Sequence, residues 1–258
     1  MTAGTLIDRP PASMPMRSLV RSFWYCAIDL PFASERVLPI ANVQLVFDLR
    51  PSRGQGSRAI VVGPATEPQT VATDWMRRSA GAVLNVAAAR AVIGCPVREL
   101  RDAATDLSAI WGRVAQKLCD RLASAPTPQA ALDRLEAELA ARAAAAPAPA
   151  PSVRHAAAML ARGAPVGMVI DRIGMSRSTL VRRFDEEVGL SPKRWAGLVR
   201  FQRAVGLLAV GDGDLADIAA CCGYADQAHM TRDFRRFGQV TPATYLPRSQ
   251  AEPNHIAN

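Results

Sequence analysis

Histidine is absent from residues 1–154, and the whole 258-residue chain holds 3. A histidine-based metal site is thereby excluded from that stretch, as are most acid–base schemes built on imidazole. Lysine is scarce too. Apart from Lys117 and Lys193, arginine supplies the basic side chains. No apolar stretch approaches the roughly 18 residues that mark a membrane span, and the opening MTAGTLIDRPPASMPMR lacks the apolar run of a secretory signal. The five cysteines (Cys26, Cys95, Cys119, Cys221 and Cys222) are odd in number and irregular in spacing. Adjacent Cys221 and Cys222 point apart on a helix and cannot clamp a metal alone. No Gly-rich phosphate loop, H-E-x-x-H, G-x-S-x-G or C-x-x-C occurs. The expectation is a cytoplasmic protein with reduced thiols, not an enzyme, with no metal, no cofactor and no membrane association.

What the chain does have is positive charge. The net charge is +8 and the pI about 9.9, a balance that favours a polyanionic partner. The charge is spread evenly: residues 1–151 hold 17 basic and 13 acidic side chains, and residues 152–258 hold 14 and 10, so each part carries +4. With no basic tail, any nucleic acid must be met by arginines on a folded surface.

Residues 1–16, rich in Pro, Met and small side chains, read as a flexible arm. Five short segments then carry strand character: SFWYCAIDL, NVQLVFDL, RAIVVGP, QTVATDW and AVLNVAA, parted by turn signals such as PSRGQGS and GPATEP. Residues 97–123 read as helical, with Leu107, Ile110, Trp111, Val114, Leu118 and Leu122 at helical spacing, and residues 129–144 as a second helix with Leu132, Leu135 and Leu139 on one face. Trp24, Tyr25, Phe47, Trp75 and Trp111 read as core residues rather than pocket lining. The alternating Ala/Pro run at 143–152 cannot hold a helix and marks a linker. Beyond it the pattern is purely helical to residue 248, with residues 249–258 as a flexible tail. The fold class expected is α+β: a β-rich mixed domain over 17–142, then an all-α domain over 153–248.

The all-α part contains one pattern twice. Ile173-Gly174-Met175 matches Cys222-Gly223-Tyr224 at an offset of 49 residues. Leu180, Arg182, Phe184, Ser191, Pro192 and Trp195 match Met230, Arg232, Phe234, Thr241, Pro242 and Tyr245 at an offset of 50. Each copy thus has a short helix, a glycine turn, a second helix and a Ser/Thr-Pro helix start. Glycine supplies a turn conformation that a side chain would strain. The Leu or Met and the Phe, four apart, share one face and should be core. The arginine between them is left on another face in both copies. Helix, tight turn and helix make a helix-turn-helix unit, and two such units joined by one long helix suit two successive major-groove segments.

On these residues, IGMSRSTLVRRFDEEVGLSPKRW (173–195) and IAACCGYADQAHMTRDFRRFGQVTPATYL (218–246), the chain resembles the double helix-turn-helix domain of AraC/XylS-type transcriptional activators. The resemblance implies base-reading positions at Ser178, Val181 and Arg182 in the first unit and at Ala228, His229 and Arg232 in the second. Arg177, Arg183, Lys193, Arg194, Arg235 and Arg236 stand beside them as phosphate contacts. It implies double-stranded DNA as partner, with RNA polymerase, a small-molecule effector and a second copy of the chain as further partners. Asp185, Glu186 and Glu187 would repel phosphate, so that end of the helix should face away from DNA. FW (23–24), NVQLVFDL (42–49), VVGPATEP (61–68) and IGCPVRELRD (93–102) resemble an uncharacterised N-terminal domain found in some regulators of this class. Where such domains read V-x-F-x-P-G, this chain has VLNVAAA (83–89). Two other readings compete: a non-catalytic protein-interaction module, and a DNA-repair alkyltransferase fusion. The latter would need a P-C-H-R setting around its thiol, which Cys95-Pro96 does not supply.

Overall fold

The computed structural model describes residues 4–51, 58–146, 150–211, 213–250 and 252–257. The first region is built on antiparallel strands. In chain order they are β1 (Thr5–Arg9), β2 (Val20–Ala27), β3 (Ser34–Val37), β4 (Gln44–Asp48), β5 (Ala59–Val62), β6 (Gln69–Ala72), β7 (Ser79–Leu84) and β8 (Ala104–Asp106). The helices among and after them are α1 (Met14–Arg17), α2 (Ala89–Ile93), α3 (Ser108–Trp111), α4 (Arg113–Ala123) and α5 (Pro128–Ala145). Each of the five segments with strand character contains one strand. The larger sheet has the order β1-β2-β7-β4-β5-β8. Its strands alternate as a half-covered sheet should: Leu45 and Phe47 of β4 point inward, as do Phe23 and Tyr25 of β2. Leu132, Leu135 and Leu139 of α5 and Leu118 and Leu122 of α4 close over them. Of the aromatics expected in the core, Tyr25, Phe47 and Trp111 are buried and Trp24 and Trp75 half-buried.

Residues 97–123 depart from the single helix expected. A 3₁₀ turn (Val97–Leu100), β8, α3 and α4 share the segment. Asp102 turns the chain with φ +55°, and its carboxylate accepts from the Thr66 amide at 2.7 Å. This frees residues 104–106 to pair with β5. Gly112, at φ +59°, then breaks the helix again. The break shifts the helical phase, so Val114 is exposed and Ala115 is buried in its place.

Of the arm expected at residues 1–16, residues 1–3 lie outside the described residues and the rest is tied down. β1 pairs along β2 from Thr5↔Ala27 to Arg9↔Phe23. The buried carboxylate of Glu136 on α5 accepts from Arg9 at 2.8 Å and from the Ala12 amide at 2.8 Å. The centre of the Ala/Pro linker, residues 147–149, lies outside the described residues.

The second region is helical: α6 (Pro151–Ala161), α7 (Val166–Ile173), α8 (Arg177–Val188), α9 (Pro192–Val210), α10 (Leu215–Cys222) and α11 (Gln227–Asp233). A π turn (Phe234–Gly238) extends α11, and a 3₁₀ turn (Pro242–Thr244) follows. The caps are side chains suited to the job. Ser176, Ser191 and Asp226 accept from the amides of Thr179, Arg194 and His229. The last residues are not a loose tail. A strand, β9 (His255–Ala257), pairs antiparallel with β3 and completes a second sheet of order β6-β3-β9. Glu35 on β3, 1% exposed, accounts for this attachment. It pairs with Arg248 at 2.5 Å and with His255 at 2.7 Å, so a carboxylate too costly to bury alone finds two partners in the C-terminal segment.

Candidate nucleic-acid interface

The repeat in the sequence is a repeat in space. Gly174 ends α7 and Gly223 ends α10, at φ +63° and +80°, backbone that an L side chain adopts only with strain. Behind these turns Leu180 and Phe184 of α8, like Met230 and Phe234 of α11 and its π turn, are 0% exposed. Trp195 meets Phe184 edge-on at 5.7 Å, and its counterpart Tyr245 meets Phe234 edge-on at 6.2 Å. The inward faces of both units are therefore fixed by the same four positions, and the outward faces follow.

On α8 the outward face carries Arg177, Ser178, Val181, Arg182 and Arg183, all exposed. Arg177, Ser178, Val181 and Arg182 line an open groove of about 720 Å³ together with Asp185 and Ser191. Arg182, with 64% of its side chain exposed, lies 3.3 Å from Glu186, one helical turn on. Such a surface pair is worth about 0.3–0.5 kcal/mol, whereas a bidentate arginine–guanine contact discriminates by about 1–3 kcal/mol. The intrahelical pair therefore does not hold Arg182 back. Lys193 and Arg194 are exposed at the start of α9.

On α11, Ala228 and Arg232 are exposed, as are Arg235 and Arg236 on the π turn. His229 sits differently. It is half-buried, its ring meets Tyr224 edge-on at 5.1 Å, and its Nδ1 accepts from the Ala225 amide at 3.4 Å. Its imidazole is engaged with the turn rather than presented beside Arg232. Beneath it Arg200 of α9 pairs with buried Asp233 at 3.1 Å and stacks over Tyr224 at 4.7 Å. Burial, helped by the charge of Asp233, pushes the Tyr224 hydroxyl well above its usual range, so it stays protonated. Arg200 and Asp233 orient the second unit, and sequence reasoning did not single them out. The signal available was an Arg in the linking helix with no counterpart in the repeat.

The acidic end of α8 is held by the first region, although Asp185, expected to face away, lines the groove. Arg101 pairs with Asp185 and donates to the Gly189 carbonyl. Arg90 lies 3.2 Å from Glu187 and Arg98 lies 3.8 Å from Glu186. Gly189 permits the approach: a Cβ there would stand 2.9 Å from the Val97 carbonyl oxygen. The second unit is gripped as well. Arg36 of β3 donates to the Gly238 carbonyl at 2.6 Å, and Leu38 packs into the helical core.

Two family models match the chain. Residues 169–248 match a helix-turn-helix domain, and residues 8–106 match a domain of unknown function (DUF6597). Similar proteins include an uncharacterised HTH-type transcriptional regulator of Haemophilus influenzae, 35% identical over 71 residues, which are 28% of this chain and 24% of that one. The HTH-type transcriptional regulator MtrA of Neisseria gonorrhoeae is 30% identical over 80 residues, 31% of this chain and 27% of that one. The HTH-type transcriptional activator RhaS of Escherichia coli is 35% identical over 68 residues, 26% of this chain and 24% of that one. Residues 169–248 thus carry a helix-turn-helix domain similar to that of these regulators. The chain spans about a quarter of the length of each of these relatives. Among solved structures, fatty-acid-bound ToxT of Vibrio cholerae aligns over 95% of each chain at 11% identity, with a TM-score of 0.44. The xylose-binding transcription activator XylR aligns over 36% of this chain and 24% of that one at 26% identity, with a TM-score of 0.30.

Three of the thiols, Cys26, Cys95 and Cys119, are placed against nucleophilic work. Burial raises Cys95, with Glu99 adding to the shift, and burial pushes Cys26 and Cys119 up to about 11. A reactive thiol needs the opposite shift. Among the described residues no helix is long and apolar enough to cross a membrane.

Proposed function

We propose that the chain is a sequence-specific DNA-binding transcriptional regulator, with α8 and α11 as its two recognition helices. The observation that carries this reading is the equivalence of Arg182 and Arg232. Each is exposed between two fully buried residues of its unit, on the second helix of a helix-turn-helix. Arginine in that place can address guanine in the major groove, while Arg177, Arg183, Lys193, Arg194, Arg235 and Arg236 supply backbone contacts that fix register without reading sequence. On this reading Ser178 hydrogen-bonds a base or phosphate, and Val181 and Ala228 meet a thymine methyl group.

The two units are linked by α9, whose 19 residues span about 28 Å. Successive major-groove segments on one face of straight DNA are about 34 Å apart. A rigid α9 therefore favours bent DNA, and the bend makes deformable steps between half-sites part of the specificity. Activation is the output of the regulators this domain resembles, with the first region as the sensing and dimerising part and RNA polymerase as the partner at the promoter. A binding-site selection on the full chain tests the core of the reading: a site with two conserved blocks about one helical turn apart is expected. Enrichment of no sequence, with affinity unaffected by salt, would leave the protein-interaction reading in its place.

A further inference from the structure

The two regions do not meet flush everywhere. Between the β2–β7 side of the first and helices α6 and α9 of the second lies an open cleft of about 770 Å³. Its lining contains four arginines (Arg17, Arg21, Arg154 and Arg203) and, among the described residues, no carboxylate side chain. Arg17 and Arg203 are partly committed, to the carbonyls of Pro11 and Ala161. Arg21 and Arg154, both exposed, come from opposite walls, and their side chains have no ion pair or hydrogen bond among the described residues, although elsewhere in the interface arginines are matched with acids. Cations converging on one cleft without a counterion raise the local potential for an anion.

Val86, Ala157, Ala158 and Val199 add an apolar patch, beside neutral polar side chains that include Asn42, Asn85 and Gln202. Trp195 also lines the cleft, and its indole N–H is buried without an acceptor. Buried donors are normally satisfied, and each exception calls for a missing partner. We infer that this cleft binds a small organic oxyanion, a carboxylate or phosphate ester with an apolar body. Its charge lies between Arg21 and Arg154 and its body lies against the α6–α9 wall. Arginine forks suit either oxyanion, and mixed apolar and sparse polar lining is the ordinary make-up of small-molecule sites. Because Trp195 packs on Phe184, the occupied cleft touches the core of the first recognition helix directly.

The inference does not depend on the DNA reading, since binding is measured on the protein alone. The experiment follows the Trp195 indole N–H resonance of the full chain, assigned by its loss in Trp195→Phe, during titration with phenyl phosphate, benzoate, phenol and inorganic phosphate. A saturable shift is expected with phenyl phosphate or benzoate, and the stronger of the two identifies the head group. Phenol and inorganic phosphate should bind at least tenfold more weakly. Arg21→Gln and Arg154→Gln, singly and together, should weaken the aryl anion at least tenfold without lowering the melting temperature. Phenol binding as well as the aryl anions, or variants binding them unchanged, would overturn the site. So would absence of any shift combined with a uniform loss of DNA affinity in the same variants, which would make these arginines contacts to the DNA backbone.

Discussion

Arg101, in the first region, holds the carboxylate of Asp185 on α8, the proposed recognition helix of the first unit. Asp185 lines the same groove as Arg177, Ser178 and Arg182, so an unpaired charge there would oppose an approaching phosphate. The pair removes that charge and, through the Gly189 carbonyl, fixes the end of the helix. Arg101→Ala should therefore lower DNA affinity a few-fold for all sequences alike, since a partly exposed pair is worth about 1 kcal/mol or less. Adding Asp185→Asn should restore most of it. Gel-shift titrations of the single and double variants decide this; a single variant that binds like the parent would dissociate the two residues from DNA affinity.

Arg182→Ala and Arg232→Ala should each flatten base preference in one half of the site, with a loss of about 1–3 kcal/mol against the preferred base. Site selection on each variant reads this directly. If both variants kept the parental preference, neither arginine would be a reader.

Lys193→Ala should weaken every sequence about equally. It should also reduce the slope of log affinity against log salt by about 1. A change confined to one base position would make Lys193 a base contact instead.

Phe184→Ala and Phe234→Ala remove rings that are fully buried at equivalent places. Each should cost about 3–5 kcal/mol of stability, read as a fall in denaturation midpoint. Arg172→Ala, an exposed change on α7, serves as the control that leaves the midpoint nearly unmoved.

Burial pushes the Cys26 and Cys119 thiols up to about 11, and the fold thus favours their protonated forms. That contribution is present below the ordinary thiol range and is lost as pH rises through about 11, because the unfolded chain ionises first. Stability should fall over this window, and Cys26→Ser with Cys119→Ser should flatten the fall. At pH 8 iodoacetamide should label exposed Cys221 first and leave Cys26 and Cys119 until the chain unfolds.

Much of this molecule was written locally. The glycine turns, the Ser and Asp caps and the spacing of Leu180, Phe184, Met230 and Phe234 depend on neighbours a few residues away. Helices α6 to α11 accordingly lie where periodicity puts them, and the exposed arginines follow from the buried faces. Five of the strands, β2 and β4 to β7, were legible for the same reason, by alternation. Tertiary contacts settled the rest. Residues 97–123 look like one helix until Asp102 finds Thr66 and Gly112 shifts the phase. Thr5–Arg9 is ordered because β2 offers an open edge and Glu136 a buried carboxylate, and His255–Ala257 because Glu35 needs partners that lie more than 200 residues away. The resemblance implies a base-reading position at His229, yet Tyr224 and Arg200 draw its ring toward the turn. The repeated units and their outward arginines were determined by the sequence alone. How the first region grips both units, and the cleft it leaves between them, depended on charges meeting across long separations, which periodicity does not encode.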